Sequence, residues 1–207
     1  MTFFLTLVSC ALGAMLGLVI AIGLSSQHWS TRHSMTVVVE LIRACPPLVL
    51  LIWAYYLMPA MTGIGLSSTS TTIIVFTAIF AAFSADIFRG SIESIPRATL
   101  DSGRALGMSK QLLIRRIFVP EVFRRSFPSV NSLIVSTLKM SSLASVIAVQ
   151  ELTYSAQLIL AQRPRPFEIY TATAAAYCLV IFPIVFILRW VERQHWCSLN
   201  PTSHAGR

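Results

Sequence analysis

Residues 2 to 24 run for 23 positions without a single charged side chain. A helix needs ~20 apolar residues to cross the hydrocarbon core of a bilayer, so a stretch like this belongs in lipid or in a dry interior. Four more apolar runs, about 44–62, 71–88, 128–149 and 169–189, approach or reach that length. Soluble domains carry about 25% charged residues, whereas this chain carries 12%. The pattern predicts an all-α integral membrane protein, a single domain over residues 1–207 with five transmembrane helices. No Lys or Arg precedes the first run. It therefore lacks the basic n-region of a secretory signal and reads as a retained helix. Its Gly13 and Gly17 have the spacing that lets a second helix approach closely.

Between the runs lie a polar connector at 25–43, a short uncharged loop at 62–72, a basic stretch at about 90–127 and a mixed loop at 150–168. Five crossings put the two ends of the chain on opposite sides. One set of connectors holds Arg32, Arg43, the basic stretch and the tail residues Arg189, Arg193 and Arg207. The other holds only Arg163 and Arg165. Basic residues favour the cytoplasmic side, so the N-terminus is expected outside, with the basic stretch and the C-terminus in the cytoplasm. The formal charge of +8 therefore reads as an orientation signal and not as a nucleic-acid footprint.

The stretch between the third and fourth runs carries 8 of the 16 basic residues, from Arg89 to Arg125. Ser94 is placed to cap a helix that starts Ile95-Pro96 and ends at Gly107. Ser109 is placed to cap a second helix that Pro120 interrupts. Apolar residues near helical spacing make both arms amphipathic. Two readings fit such a knob: a plug for a groove in a soluble partner, or a pair of basic helices lying on anionic lipid.

Specific residues favour the first reading. Asp101-Ser102-Gly103, Gly107, Ile117 and Pro120 resemble the EAA loop of bacterial ABC-importer permeases. The family pattern there is Glu-Ala-Ala, three residues, Gly, nine residues, Ile, one residue, Leu-Pro. Here Asp101 stands for Glu, Ser102 and Gly103 for the alanines, and Val119 for Leu. Three further segments resemble the polar-amino-acid subfamily: Glu40 to Leu48, Ala85 to Gly90, and Leu138 to Ile147, the last followed by Glu151-Leu152.

The resemblance implies a type I importer fold and a pathway for a polar amino acid or a related compound such as an opine. It implies that Asp101, Ser102, Gly103, Ala105, Leu106, Gly107, Ile117 and Pro120 form the coupling region seated on a cytoplasmic ATPase dimer. A second permease, identical or related, and a periplasmic or extracellular solute-binding protein complete the set of partners. ATP and Mg are then bound by the ATPase. This chain has no cofactor site of its own, because Gly103 to Lys110 lacks the spacing of a phosphate-binding loop.

Within the runs, Asp86, Lys139, Ser141 and Ser142 are candidates for the substrate pathway. Charges in hydrocarbon are costly and usually face protein or water. Lys139 can line the path or form a structural ion pair, and Asp86 can pair with Arg89 three residues on. The serines, with Ser145, can meet substrate or bond back to their own helix. Pro183 is expected to kink the last helix. Four cysteines and four histidines show no disulfide or metal spacing, and no acid–base constellation is present. A stand-alone channel or small membrane enzyme fits the composition equally well, but not the motif spacing.

Overall fold

The computed structural model describes residues 1–25 and 28–197, with the side chains of Ser30, Thr31, Arg193, His195, Trp196 and Cys197 left out. The orientation signal at Arg207 and the tail residue His204 lie outside that range, as do the side chains of Arg193, His195 and Trp196. Every regular element among the described residues is helical. In order they are α1 (Thr2–Leu24), α2 (Trp29–Ala44), α3 (Pro47–Thr62), α4 (Ser68–Glu93), α5 (Arg97–Ala105), α6 (Lys110–Ile147), α7 (Leu152–Gln162) and α8 (Pro166–Cys197). Four of these, α1, α4, α6 and α8, are long and apolar enough to cross a membrane. The second expected span is a bent pair: α2 and α3 meet at 101°. Cys45-Pro46-Pro47 explains the break. A residue before proline is pushed out of the helical region, and Cys45 is extended at φ −80°, ψ 132°.

The sequence-based boundaries need four corrections. The connector at 25–43 is mostly helix α2, and the loop at 150–168 is mostly helix α7. The third span is longer than expected, because α4 continues to Glu93. Pro120 does not stop the second arm, which runs without a break into the fourth span as α6. The chain absorbs this proline by widening one turn. In Ile114–Phe118 the Val119 N–H reaches back five residues to the Ile114 carbonyl. That π turn relieves the clash a proline ring makes with the carbonyl four residues earlier. The same device sits in α3, where the Met58 N–H bonds to Trp53 O just before Pro59. Pro183 lies inside α8, which remains one helix around it.

α4 is the centre of the bundle. Phe76, Phe80, Ser84 and Ala85 are almost wholly buried on it. α1 packs along it in the same direction. Ser9 Oγ donates to Ile73 O at 3.5 Å, Gly13 lies against Phe80, and Ser84 Oγ donates to Gly13 O at 3.3 Å. A Cβ at Gly17 would run into Ser84 Oγ and sit 2.9 Å from Ala81 O and 3.1 Å from Ala85 N. Those backbone atoms cannot yield. Gly17→Val is therefore expected to cost about 1–3 kcal/mol, read as a lower thermal midpoint of the detergent-purified chain. At Gly23 a Cβ meets only the flexible Met35 side chain, so Gly23→Ala is expected to be nearly silent. At the other end of this pair, Leu5, Leu51, Phe76 and Ile147 join α1, α3, α4 and the end of α6 in one apolar cluster. By contrast, the most apolar stretch of α8 contains no buried residue.

Candidate functional site

Two surfaces stand out, one at the loop between α4 and α6 and one along α6. At the loop, α5 and the start of α6 close on each other through Gly103. This glycine is buried, and a Cβ there would lie 2.9 Å from both Leu113 Cδ1 and Ile117 Cδ1. That contact accounts for the spacing between Gly103 and Ile117: the second arm is the floor on which the first rests. Gly107 makes the turn at φ +72°, a left-handed conformation that glycine adopts freely. Ser109 then caps α6, its Oγ accepting from the Leu112 N–H at 3.4 Å. Ser94 does not cap α5. The cap position is Pro96, and Ser94 instead ends α4, where its carbonyl accepts from Arg125 at 3.0 Å. Arg125 is in turn held by Glu121 at 2.8 Å, which ties α4 to α6 below the knob.

The outer face of the knob is bare. Asp101, Ser102, Ala105, Leu106 and Gly107 are exposed, as is Pro120. Leu106 is 82% exposed, a large apolar side chain held at the tip. Asp101 is paired only locally, with Arg104 at 2.9 Å.

Along α6, Ser129, Ser132, Ser136 and Lys139 are all exposed. Spacings of three and four place them on one face of a helix. Lys139 has no ion-pair partner among the described residues. On one side of the stripe is a cavity of about 690 Å³, bordered by Ser132, Ser136, Phe83, Arg43 and Asp86. The Asp86 carboxylate accepts from Arg43 at 2.6 Å, and not from Arg89, which pairs with Glu93 at 3.3 Å. Arg43 also bonds Glu40 at 3.1 Å and lies 5.4 Å from the centre of the Phe83 ring. This cluster joins the end of α2, just before the break, to α4.

The three serines beyond Lys139 fold back onto their own helix. Ser141 Oγ donates to Leu138 O at 2.7 Å, Ser142 Oγ to Lys139 O at 3.0 Å, and Ser145 Oγ to Ser142 O at 2.9 Å. Ser141 is fully buried. Of the three, Ser142 borders a cavity between α6 and α8.

Sequence reasoning gave Glu151 no role beyond its place in the resemblance. Glu151 is 3% exposed. One carboxylate oxygen caps α7 by accepting from the Tyr154 N–H at 2.8 Å, and the other accepts from the Tyr177 hydroxyl at 2.6 Å. Glutamate is not among the strong helix-capping residues, so no local signal marked it.

An apolar helical bundle with an exposed polar stripe and a bare knob defines a class: a multi-pass membrane protein with polar surface along its spans. The family itself follows from comparison with known proteins. Residues 13–195 match the binding-protein-dependent transport system inner membrane component family, and the chain belongs to it. It is 30% identical over 195 residues to the glutamine transport system permease protein GlnP of Escherichia coli K12, covering 94% of this chain and 89% of that protein. It is 32% identical over 191 residues to the L-cystine transport system permease protein TcyB of Bacillus subtilis, covering 92% and 81%. Among solved structures it superposes on an amino acid ABC transporter crystallised with histidines, with TM-score 0.86, 26% identity and coverage of 94% and 90%. A chain of the MetNI methionine transporter shares the fold, with TM-score 0.77 at 16% identity over 94% and 92%. The chain is thus a permease subunit of an ABC importer, which favours that reading over a stand-alone channel or membrane enzyme.

Proposed function

We propose that this chain forms one half of the translocation pathway for a polar amino acid or a related compound such as an opine. The observation that carries the reading is the stripe of Ser129, Ser132, Ser136 and Lys139, which is exposed among the described residues. Facing lipid, such a stripe is costly. Facing a second permease across water, it is the wall of a path. The second copy is identical or homologous, a soluble binding protein delivers the solute from outside, and membrane lipid covers α8. The N-terminus is outside and the C-terminus cytoplasmic, a reading supported by the bias of basic residues among the connectors. The parallel course of α1 and α4 supports five crossings, because the chain between them must return across the membrane, and α2 with α3 is the segment available to do so.

In this reading ATP and Mg bind a separate cytoplasmic ATPase dimer, and Asp101 to Gly107 seat in its groove, with Ile117 and Pro120 in the supporting arm. Asp86, Lys139 and Ser142 border the path, and Ser141 supports it from behind. The test uses a chain whose own cysteines are replaced by serine, assembled with its partners. Ser136→Cys is expected to react with a membrane-impermeant thiol reagent, at a rate that changes when ATP and loaded binding protein are added. Leu179→Cys, on the apolar face of α8 and 76% exposed, is expected to stay unlabelled in lipid. An unreactive Ser136→Cys sinks the pathway reading.

A further inference from the structure

Two cavities lie along the groove between α6 and α8, on the other side of the stripe from the Arg43 cluster. The larger, about 630 Å³, is bordered by Lys139, Ser142, Phe182, Val185 and Arg189. The smaller, about 310 Å³, is bordered by Asn131, Ser136, Lys139, Arg189 and Glu192. Lys139 and Arg189 belong to both, and neither has an ion pair among the described residues. Glu192 also has no ion pair among the described residues. An independent observation points the same way. Asn131 is 6% exposed, yet its side-chain nitrogen has no hydrogen-bond partner. Buried donors are nearly always satisfied, so this donor lacks an acceptor among the described residues.

We propose that this groove is a solute site selective for an amino diacid, a molecule with two carboxylates and one protonated amine. Two cations and one carboxylate leave the groove with a net charge of +1, and such a solute carries −1. Lys139 and Arg189 each take a carboxylate, the guanidinium offering the fork that suits it. Asn131 borders the smaller cavity, and Glu192 takes the amine. Ile181, Phe182 and Val185 give the aliphatic spacer an apolar wall, the usual make-up of a small-molecule site. A solute with an amide in place of the second carboxylate leaves one cation unmatched, and a site built on polar pairing rejects such analogues strongly. The proposal rests on the reading of α6 as a wall of the path.

The test is binding of L-glutamate and L-glutamine to the complete importer complex, without binding protein, in phosphatidylcholine nanodiscs. L-glutamate is expected to bind at least about tenfold more tightly than L-glutamine. Lys139→Gln and Arg189→Gln are each expected to collapse that ratio, and Lys139→Arg to keep it. Unchanged assembly and heat stability of the variants separate lost recognition from lost folding. Equal affinities, or a ratio untouched by Lys139→Gln, overturn the proposal. So does displacement of L-glutamate by inorganic phosphate or by phosphatidylglycerol in the disc, which assigns the donors to a phosphate headgroup. A labelled Ser136→Cys with equal affinities removes only the diacid assignment, whereas an unlabelled one removes the pathway with it.

Discussion

Replacing Leu106 by aspartate is expected to abolish ATP-driven uptake, by at least about 100-fold, while the chain still reaches the membrane at ordinary levels. Leu106 is 82% exposed at the tip of the knob and contributes little to the fold of this subunit. If the knob seats in a groove of the ATPase as proposed, burial of Leu106 stabilises docking by about 1.5–3 kcal/mol. An aspartate there forfeits this and strands a desolvated carboxylate, which costs several kcal/mol more. Together these exceed the ~2.7 kcal/mol that a 100-fold change requires. Uptake in proteoliposomes and co-purification of the ATPase measure the effect. If the knob only lies on lipid, both stay near normal.

Gly107 gives a second handle on the same surface. Nothing lies within 4 Å of a Cβ built there, so a substitution acts through the backbone alone. At φ +72° an ordinary L-residue loses roughly 1–2 kcal/mol. Gly107→Val is expected to reduce uptake, and Gly107→Asn to restore most of it, since asparagine tolerates the left-handed region.

What could be read from the chain beforehand was whatever depends on neighbours in sequence. The uncharged run at 2–24, the cap at Ser109 and the turn at Gly107 are local, and all three are present. The spacing of Gly103 to Ile117 was legible as a motif, but its cause, a glycine flattened against a supporting arm, needed the fold. Local rules failed where two of them competed. Ser94 is a good cap residue, yet the extended Pro96 starts α5, and Ser94 serves Arg125 instead. Pro120 is a helix breaker in isolation, but one widened turn costs less than ending a helix that continues into the membrane. The Asp86 partner was beyond sequence reasoning: Arg43 is 43 residues away and reaches it only because α2 turns sharply at Cys45. The unpaired state of Lys139 is likewise a property of packing.

The residue that local rules overlooked is expected to matter most for stability. Glu151→Ala removes the cap of α7 and the carboxylate that accepts from the Tyr177 hydroxyl. Hydrogen bonds to a charged group contribute about 1.5–3 kcal/mol each, so the expected loss is roughly 3–5 kcal/mol. The effect is large for a further reason. Tyr177, which also shares a hydrogen bond with Thr153 at 3.0 Å, is a polar link between α8 and the rest of the described chain, and the most apolar part of α8 buries nothing of its own. Just before Glu151, Ala148 holds a left-handed φ of 59°, a conformation that costs an alanine energy and that the capped helix after it helps to hold. Without Glu151, α7 loses its first turn and α8 its tether. The thermal midpoint of the purified chain and the protease sensitivity of the 162–166 segment read the two consequences together. Glu151→Gln keeps an acceptor for the Tyr154 N–H and an amide that can bond the Tyr177 oxygen, so it is expected to recover most of the loss. If Gln and Ala are equally damaging, the charge and not the hydrogen bonds holds this corner, and the tether account fails.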